Sequence, residues 1–108
     1  MRVGTLMRRI RIESFTTEAD SFGEPIKTWT VLDHAWAEVK PLSATERFQA
    51  QQTNRQIDIK VRIHYRTDIT EQMRLLFDGA YYDIQGITEI GMREGLELLC
   101  GLYKPEAP

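Results

Sequence analysis

The sequence predicts an all-β protein: a small antiparallel β-barrel of the SH3-like or, alternatively, the OB-like type, with a long inserted loop and at most short helical turns. Segments in which apolar and polar residues alternate recur along the chain, as in strands with one buried face, and turn-forming residues separate them. With 108 residues the chain has the length of one domain, 1–108. A small set of short strands avoids exposed sheet edges most readily by closing on itself.

The first half of the chain contains two predicted strands. In "RRIRIES", Ile10 and Ile12 alternate with charged residues, which predicts a strand. Segment 15–28 is rich in Thr, Asp, Ser, Gly and Pro and predicts a turn-rich loop. The second strand, "TWTVLDHAWAEVK", has a polar "DH" at its centre that predicts a bend or a β-bulge. If the ring of Trp36 is buried, its replacement by Ala is expected to cost about 3–5 kcal/mol.

The clearest strand is "IDIKVRIHYR", residues 57–66, in which five apolar residues alternate with polar or charged ones. After it, "DITEQM" predicts a short helical turn capped by Thr70, and "DG" at 78–79 predicts a two-residue hairpin turn. Gly86 shifts the apolar phase of the following strand, as a bulge does. The last strand is expected to bury one face, made of Leu96, Leu98, Cys100 and Leu102.

The net charge of the chain is too small to attract a strongly charged partner. The chain has 14 basic and 16 acidic residues, a net charge of −2, so it makes no general electrostatic demand for nucleic acid or anionic lipid. No run approaches the roughly 20 apolar residues of a transmembrane helix, and the N-terminus lacks the apolar core of a signal peptide. We therefore expect no membrane contact and a protein that is made and used in a cytoplasm or packed into an assembly that forms there. Cys100 is the single cysteine, which favours a small buried hydrophobe over a nucleophile.

No motif for catalysis or cofactor binding is recognisable. His34 and His64 are thirty residues apart, and the acidic stretch "TEADSFGE" does not have the ligand spacing of a calcium loop. A glycine-flanked serine and a phosphate-binding glycine loop are both missing. The sequence therefore predicts no catalytic residue, no metal and no cofactor.

Two features point to binding. Lys60, Arg62 and Arg66 lie on the wet face of the predicted strand 57–66 and could meet phosphates or an acidic protein, or could simply be solvated. Segment 41–56, "PLSATERFQAQQTNRQ", is polar and rich in glutamine. Ser43 and Glu46 have the spacing of a helix capping box. A loop of this length in a compact barrel tends to be functional or disordered, so a surface loop without a role is the alternative to a binding element.

Taken in order, the sequence resembles the head–tail joining proteins of tailed bacteriophages and prophages, also called head-closure or stopper proteins. The resemblance is carried by "GTLMRRIRI", "DSFGEPIKTW", "AWAEVKPLSATERFQAQQ", "ITEQMRLLFDGAYYDIQGI" and "GMREGLELLC". It implies a structural virion protein at the head–tail interface that forms a ring, expected to be dodecameric, beneath the portal and adaptor, from a chain that could be monomeric in solution. Tail terminator or other tail proteins would dock on it, and packaged DNA would touch it transiently.

The resemblance also assigns roles to segments. It implies that 41–56 projects toward the channel as a gate. By polarity and position, the N-terminal arm 1–8 and the 15–28 loop are candidates for contact with the adaptor, and 104–108 is expected to be a frayed tail. The gating residues would be Ser43, Glu46, Arg47, Phe48, Gln49, Gln51, Gln52, Thr53, Asn54 and Arg55. The candidate adaptor contacts are Arg2, Leu6, Glu18, Asp20 and Phe22.

Two other functions remain open at this stage. A tail-completion protein of the same conduit would use a similar small barrel. A cytoplasmic SH3- or OB-like nucleic-acid module would bind oligonucleotides through Lys60, Arg62 and Arg66. The aromatic residues do not interleave with that basic face, which argues against a dedicated binder of single strands.

Overall fold

The computed structural model describes residues 8–53 and 55–103. Arg2, Leu6, Asn54, the tail 104–108 and all of the predicted N-terminal arm except Arg8 lie outside the described residues. The elements in chain order are β1 (Arg8–Ala19), β2 (Pro25–Pro41), α1 (Ala44–Gln51), β3 (Ile59–His64), β4 (Arg74–Phe77), β5 (Ala80–Ile90) and β6 (Gly95–Leu102). The strands form a closed antiparallel barrel in the order β1-β2-β3-β6-β5-β4. The predicted all-β barrel is confirmed.

The core lies inside the barrel and contains the inward residues of every strand. The alternation predicted for 57–66 is confirmed within β3, because Val61 and Ile63 are buried and His64 is exposed, but the strand is shorter than predicted, Ile59–His64. Full burial of one such aliphatic side chain contributes about 1.5–3 kcal/mol. The buried cluster consists of Ile10, Ile12, Ala37, Val61, Ile63, Leu75, Ile84, Leu96, Leu98 and Cys100.

The turn-rich loop predicted for 15–28 is wrong. β1 continues to Ala19 and β2 begins at Pro25, and the two strands pair with each other along this whole stretch. Only residues 20–24 turn, and there the Asp20 carboxylate accepts hydrogen bonds from the backbone N–H groups of Phe22 and Glu24, both at 2.8 Å. Threonine-rich segments favour extended backbone, so the turn residues mark the tip of a ribbon. We call residues 14–32 the arm.

A β-bulge in β2 is confirmed, at Leu32. Ile12 pairs with Asp33 and Glu13 with Val31, which leaves Leu32 without a partner on β1. Beyond the bulge Ala37 is fully buried, and Trp36 points outward with 54% of its surface exposed. The burial considered for Trp36 is therefore wrong, because successive residues of a strand point to opposite faces and Ala37 takes the inward position.

The second half of the barrel follows its turn chemistry. Asp78 and Gly79 have φ angles of 52° and 78°, as a two-residue hairpin turn requires, and β4 and β5 pair on either side of it. The bulge expected at Gly86 is confirmed by the register shift between Ile84 and Gly86. The helical turn expected from "DITEQM" is instead a tight turn, in which the Met73 N–H donates to the carbonyl of Thr70 at 3.2 Å. Leu102, expected in the core, is 42% exposed because it lies at the end of the barrel.

Candidate functional site

Segment 41–56 is built around a short helix. α1 has eight residues, and its N-terminus carries the predicted capping box: the Ser43 hydroxyl accepts from the Glu46 N–H, and the Glu46 carboxylate accepts from the Ser43 N–H, each at 3.2 Å. Two of the backbone donors left free at a helix start are thereby satisfied. None of the helical residues is buried, so the local cap and not a hydrophobic face defines this helix.

An ion pair attaches α1 to the barrel. Lys60 of β3 donates to the Glu46 carboxylate at 2.6 Å. Its hydrogen bond, followed by those from Ser43, lowers the pKa of Glu46 from 4.5 to about 2. A crevice of about 290 Å³ separates the helix from β3 and β6, with Gln49 and Thr53 on one wall and Leu99 on the other. The helix is therefore held at its first turn and stands off the sheet elsewhere.

The outer side of the segment exposes an aromatic ring and two arginines. Phe48 is 62% exposed. Arg47 and Arg55, together with Gln51, border a second crevice of about 400 Å³, and within residues 8–53 and 55–103 neither arginine has a carboxylate partner. The C-terminal end of α1 is closed by Gln52, whose N–H bonds to the carbonyl of Phe48 at 3.3 Å.

The two ends of the segment are fixed in the barrel. Leu42 and Ile57 are 8% and 6% exposed, and the Leu42 N–H donates to the carbonyl of Asp58 at 3.2 Å. At its return the backbone at Gln56 passes close to Gly101 of β6. A glycine is needed there, because a Cβ would overlap the carbonyl oxygen of Gln56. The segment therefore leaves the barrel and returns to it at adjacent points.

The basic face predicted on β3 is neutralised. Lys60 pairs with Glu46, and Arg62 Nε lies 3.0 Å from Glu97 Oε2. Arg66 binds Asp68 at 2.6 Å and Asp33 at 3.2 Å. The hydrogen bond between Arg66 and Asp68 is the main cause of a raised pKa for the arginine and a lowered pKa for the carboxyl. Asp68 is two residues from Arg66, but Glu46, Asp33 and Glu97 are 14 to 35 residues from their partners, so the strand sequence could not reveal these pairs. The nucleic-acid module thereby loses its main support.

At the far end of the arm the candidate contact residues separate into two kinds. Phe22 is 89% exposed at the tip, and Glu18 is exposed on β1. The carboxylate of Asp20, by contrast, is used inside the turn by two backbone N–H groups. Asp20 therefore shapes the tip, whereas Phe22 and Glu18 are available to a partner.

The root of the arm contains a buried cluster that the sequence analysis missed. Glu13 is 4% exposed and lies between Arg11 and Arg74, at 2.8 and 2.7 Å. The guanidinium of Arg74 is also stacked between Trp29 of the arm and Tyr81 of β5, 4.1 and 3.9 Å from the ring centroids. The alternation in "RRIRIES" predicts that Glu13 lies on an outer face. No signal in the sequence indicates that Arg74 pairs with Glu13 or that Trp29 stacks on Arg74.

A large groove opens where β2 and β3 part. Its volume is about 870 Å³, and Trp36, His64 and Tyr65 are among its lining residues. The pairing of β2 with β3 extends only from Glu38 to Pro41, and beyond it Arg66 bridges to Asp33 across the opening.

The described ranges also limit other chemistry. Within residues 8–53 and 55–103, no three His, Cys, Asp or Glu side chains are grouped so that they could hold a metal ion. The helix in this part of the chain is too short and too polar to cross a membrane.

The barrel exposes Phe22 at the tip of the arm and Phe48 on α1, at the opposite end of β2. Two separate exposed elements of this kind define a protein that assembles with other proteins. The sequence profile described as "Phage head completion protein" matches residues 1–102. The chain belongs to the family of phage head completion proteins. Its role is therefore structural: it is a virion component that acts in joining head and tail, as the resemblance predicted.

Individual relatives agree with this assignment. The chain is 30% identical over 106 residues to the head completion protein gp7 of Enterobacteria phage HK97, across 93% of this chain and 95% of that protein. Its fold is similar to the solution structure of protein SF1141 from Shigella flexneri 2a, with a TM-score of 0.77, 26% identity, and coverage of 98% and 100% of the two chains. A chain of the native gene transfer agent virion shares the fold with a TM-score of 0.60 at 16% identity, across 86% of this chain and 90% of that chain.

Proposed function

We propose that copies of this chain form a ring, dodecameric on the portal, that closes the DNA channel of a filled head without catalysis. Segment 41–56 acts as the gate, the arm contacts the portal–adaptor side, and tail proteins dock on the remaining surface. The observation that carries this proposal is the placement of the two exposed elements at opposite ends of β2, which runs from Pro25 at the arm to Pro41 beside α1. A connector needs two separate contact surfaces, and this continuous strand links them.

The chemistry of segment 41–56 suits a reversible gate. Its helix buries nothing in its own barrel, so Phe48 is free to pack against a neighbouring copy. Glutamines provide neutral hydrogen bonds, and only Arg47 and Arg55 offer positive charge to a phosphate. Two cations per copy give a modest contact that a ring repeats, whereas a strongly cationic loop would hold DNA by counterion release and impede its exit.

The first test is co-sedimentation of the tagged protein with DNA-filled, tailless heads from its own phage or induced prophage. Bound protein and retained DNA are measured together. We expect binding with retained DNA. Binding to isolated tails instead, with no binding to filled heads, would contradict the proposal.

The second test removes the gate and leaves the barrel. Because Leu42 and Asp58 are already hydrogen-bonded to each other, residues 44–54 can be replaced by a short Gly-Ser linker. We expect a folded protein that still binds heads but no longer retains DNA. Ser43→Ala, which weakens the helix cap by about 1 kcal/mol but keeps the whole segment, is the graded variant, and we expect it to retain more DNA than the deletion variant. Loss of the barrel fold on deletion, seen as loss of the cooperative thermal transition, would show that 44–54 belongs to the fold.

A further inference from the structure

The arm has two unpaired edges. β1 pairs with β4 only from Arg11 to Glu13, and β2 pairs with β3 only from Glu38 to Pro41. Within the described part of the chain, Ser14–Ala19 of β1 and Pro25–Thr30 of β2 therefore pair only with each other. On the outer side each edge presents backbone N–H and C=O groups with no strand partner, which is the usual template for pairing with another chain.

The side chains favour pairing of the β1 edge of one copy with the β2 edge of another copy. They oppose pairing of two identical edges. Ile26, Val31 and Leu32 on β2 are 48%, 49% and 39% exposed, so this edge carries apolar surface in solvent. The only charged residue in Ser14–Ala19 is Glu18, and the only one in Pro25–Leu32 is Lys27. Pairing β1 of one copy with β2 of another brings no like charges together, whereas two identical edges would each bring a like pair.

The edges are also partly protected. Pro25 at the start of β2, Lys27 within it and the bulge at Leu32 are devices that limit pairing of an exposed edge. Between these devices the backbone groups of "TWT", residues 28–30, remain available for pairing on the outer edge. Such an edge suits a chain that stays separate at low concentration and pairs when copies are brought together in a ring.

We infer that the arms of neighbouring copies pair edge to edge, β1 of one copy with β2 of the next, into one continuous antiparallel sheet around the ring. This inference rests on the ring of the proposed function. Copies related by rotation point their arms in the same direction, so β1 of one copy runs opposite to β2 of its neighbour. The contact is heterologous and can close. Six paired residues per contact extend about 20 Å.

Rotational symmetry restricts the register. The same face of every arm must face the channel, so residues that share a face within one arm also share it between copies. Thr16, Thr28 and Thr30 lie on one face of the ribbon, because Ser14 pairs with Thr30 and Thr16 with Thr28. Lys27, the partner of Thr17, lies on the other. Thr16 of one copy is therefore expected beside Thr28 or Thr30 of the next.

The size of the barrel locates this sheet within the ring. Two strands occupy about 10 Å of sheet width, whereas the shortest dimension of the chain is 26 Å. Barrels cannot stand 10 Å apart, so the arms pair beyond the barrels, on the adaptor side, where they lean toward one another. The paired arms therefore form a collar narrower than the ring of barrels, with Phe22 at the tips available to the adaptor and segment 41–56 at the opposite end of β2.

Disulfide trapping between two single-cysteine variants tests the inference. Thr16→Cys with one tag is mixed with Thr28→Cys or Thr30→Cys with another, on filled heads and in concentrated solution, and the disulfide-linked heterodimer is measured. Lys27→Cys is the matched control on the opposite face. The native Cys100 does not interfere because it is buried, and burial raises its pKa to about 12.

We expect heterodimers of Thr16→Cys with Thr28→Cys or Thr30→Cys in at least tenfold excess over those with Lys27→Cys. Preferential homodimers of Thr30→Cys would show a two-fold pairing of β2 edges and overturn the inference. Heads that bind the variants without any heterodimer overturn it as well, while the proposed function stands. If the unmodified chain does not bind heads, the proposed function fails, and the heterodimer yield in concentrated solution still decides whether these edges pair.

Discussion

Arg74 donates from Nε to the Glu13 carboxylate at 2.7 Å while its guanidinium lies 3.9 Å from the centroid of Tyr81. The same guanidinium stacks on Trp29, a residue of the arm. One side chain thus joins β1, β2 and β5 at the point where the arm leaves the barrel. This cluster fixes the direction of the arm, which a ribbon with two unpaired edges could not do alone.

Removal of Arg74 should destabilise the protein. Arg74→Ala leaves Glu13 buried with Arg11 as its remaining partner, and we expect a loss of about 3 kcal/mol in the free energy of unfolding, near the lower limit for breaking a buried ion pair. Denaturation by urea measures it. Arg47→Ala is the control, because Arg47 is exposed on α1 and its loss should change stability by less than about 0.5 kcal/mol. Equal effects in the two variants would contradict the structural role of the cluster.

The anchoring of α1 should depend on pH in acid. The folded pKa of Glu46, about 2, lies below its ordinary value of 4.5, so its contribution is fully present above pH 4.5 and is lost as the pH falls toward 2. NMR titration of the Glu46 carboxyl should show a midpoint near 2, which moves up toward 4.5 in Lys60→Met. Arg62 lies on β3 with Lys60 but pairs with Glu97 of β6, so Arg62→Met should leave the midpoint unchanged. An unshifted midpoint in Lys60→Met would mean that the ion pair is absent in solution.

Trp36 and Leu98 should differ sharply in their effect on folding. Trp36 is 54% exposed and Leu98 is fully buried. We expect Trp36→Ala to cost less than about 1 kcal/mol and Leu98→Ala about 2–5 kcal/mol. Thermal melts followed by circular dichroism compare them directly. A large loss for Trp36→Ala would place its ring in the core and contradict the outward orientation of β2 at this position.

Gly101 should be sensitive even to alanine. A Cβ at this position would overlap the carbonyl of Gln56, so Gly101→Ala must displace the return of segment 41–56 to the barrel, at about 1–3 kcal/mol. Gly86→Ala is the control, because its Cβ would meet only the movable side chains of Arg55 and Leu99, at 3.4 and 3.5 Å. Chemical denaturation of both variants measures the difference. A Gly101→Ala protein as stable as the Gly86→Ala protein would show that the backbone approach is looser than described.

The sequence by itself determined the features that depend on neighbouring residues. The alternation of 57–66, the turn at Asp78-Gly79, the bulge at Gly86 and the capping box of Ser43 and Glu46 are all local. Each is decided by side-chain direction, by allowed φ angles or by a hydrogen bond across three residues, so the pattern of residues is sufficient to predict it. The family resemblance, which extends along most of the chain, gave the structural role.

Only the tertiary structure decided what depends on residues distant in the chain. The arm was mistaken for a loop because its strands are stabilised by pairing with each other and by Arg74, not by an apolar face of their own. The basic stripe is neutralised by Glu46, Asp33 and Glu97, which approach it only when the chain folds, and by Asp68, two residues from Arg66. Burial and ion pairing depend on which side chains meet in space, and that is set by the register of the whole sheet.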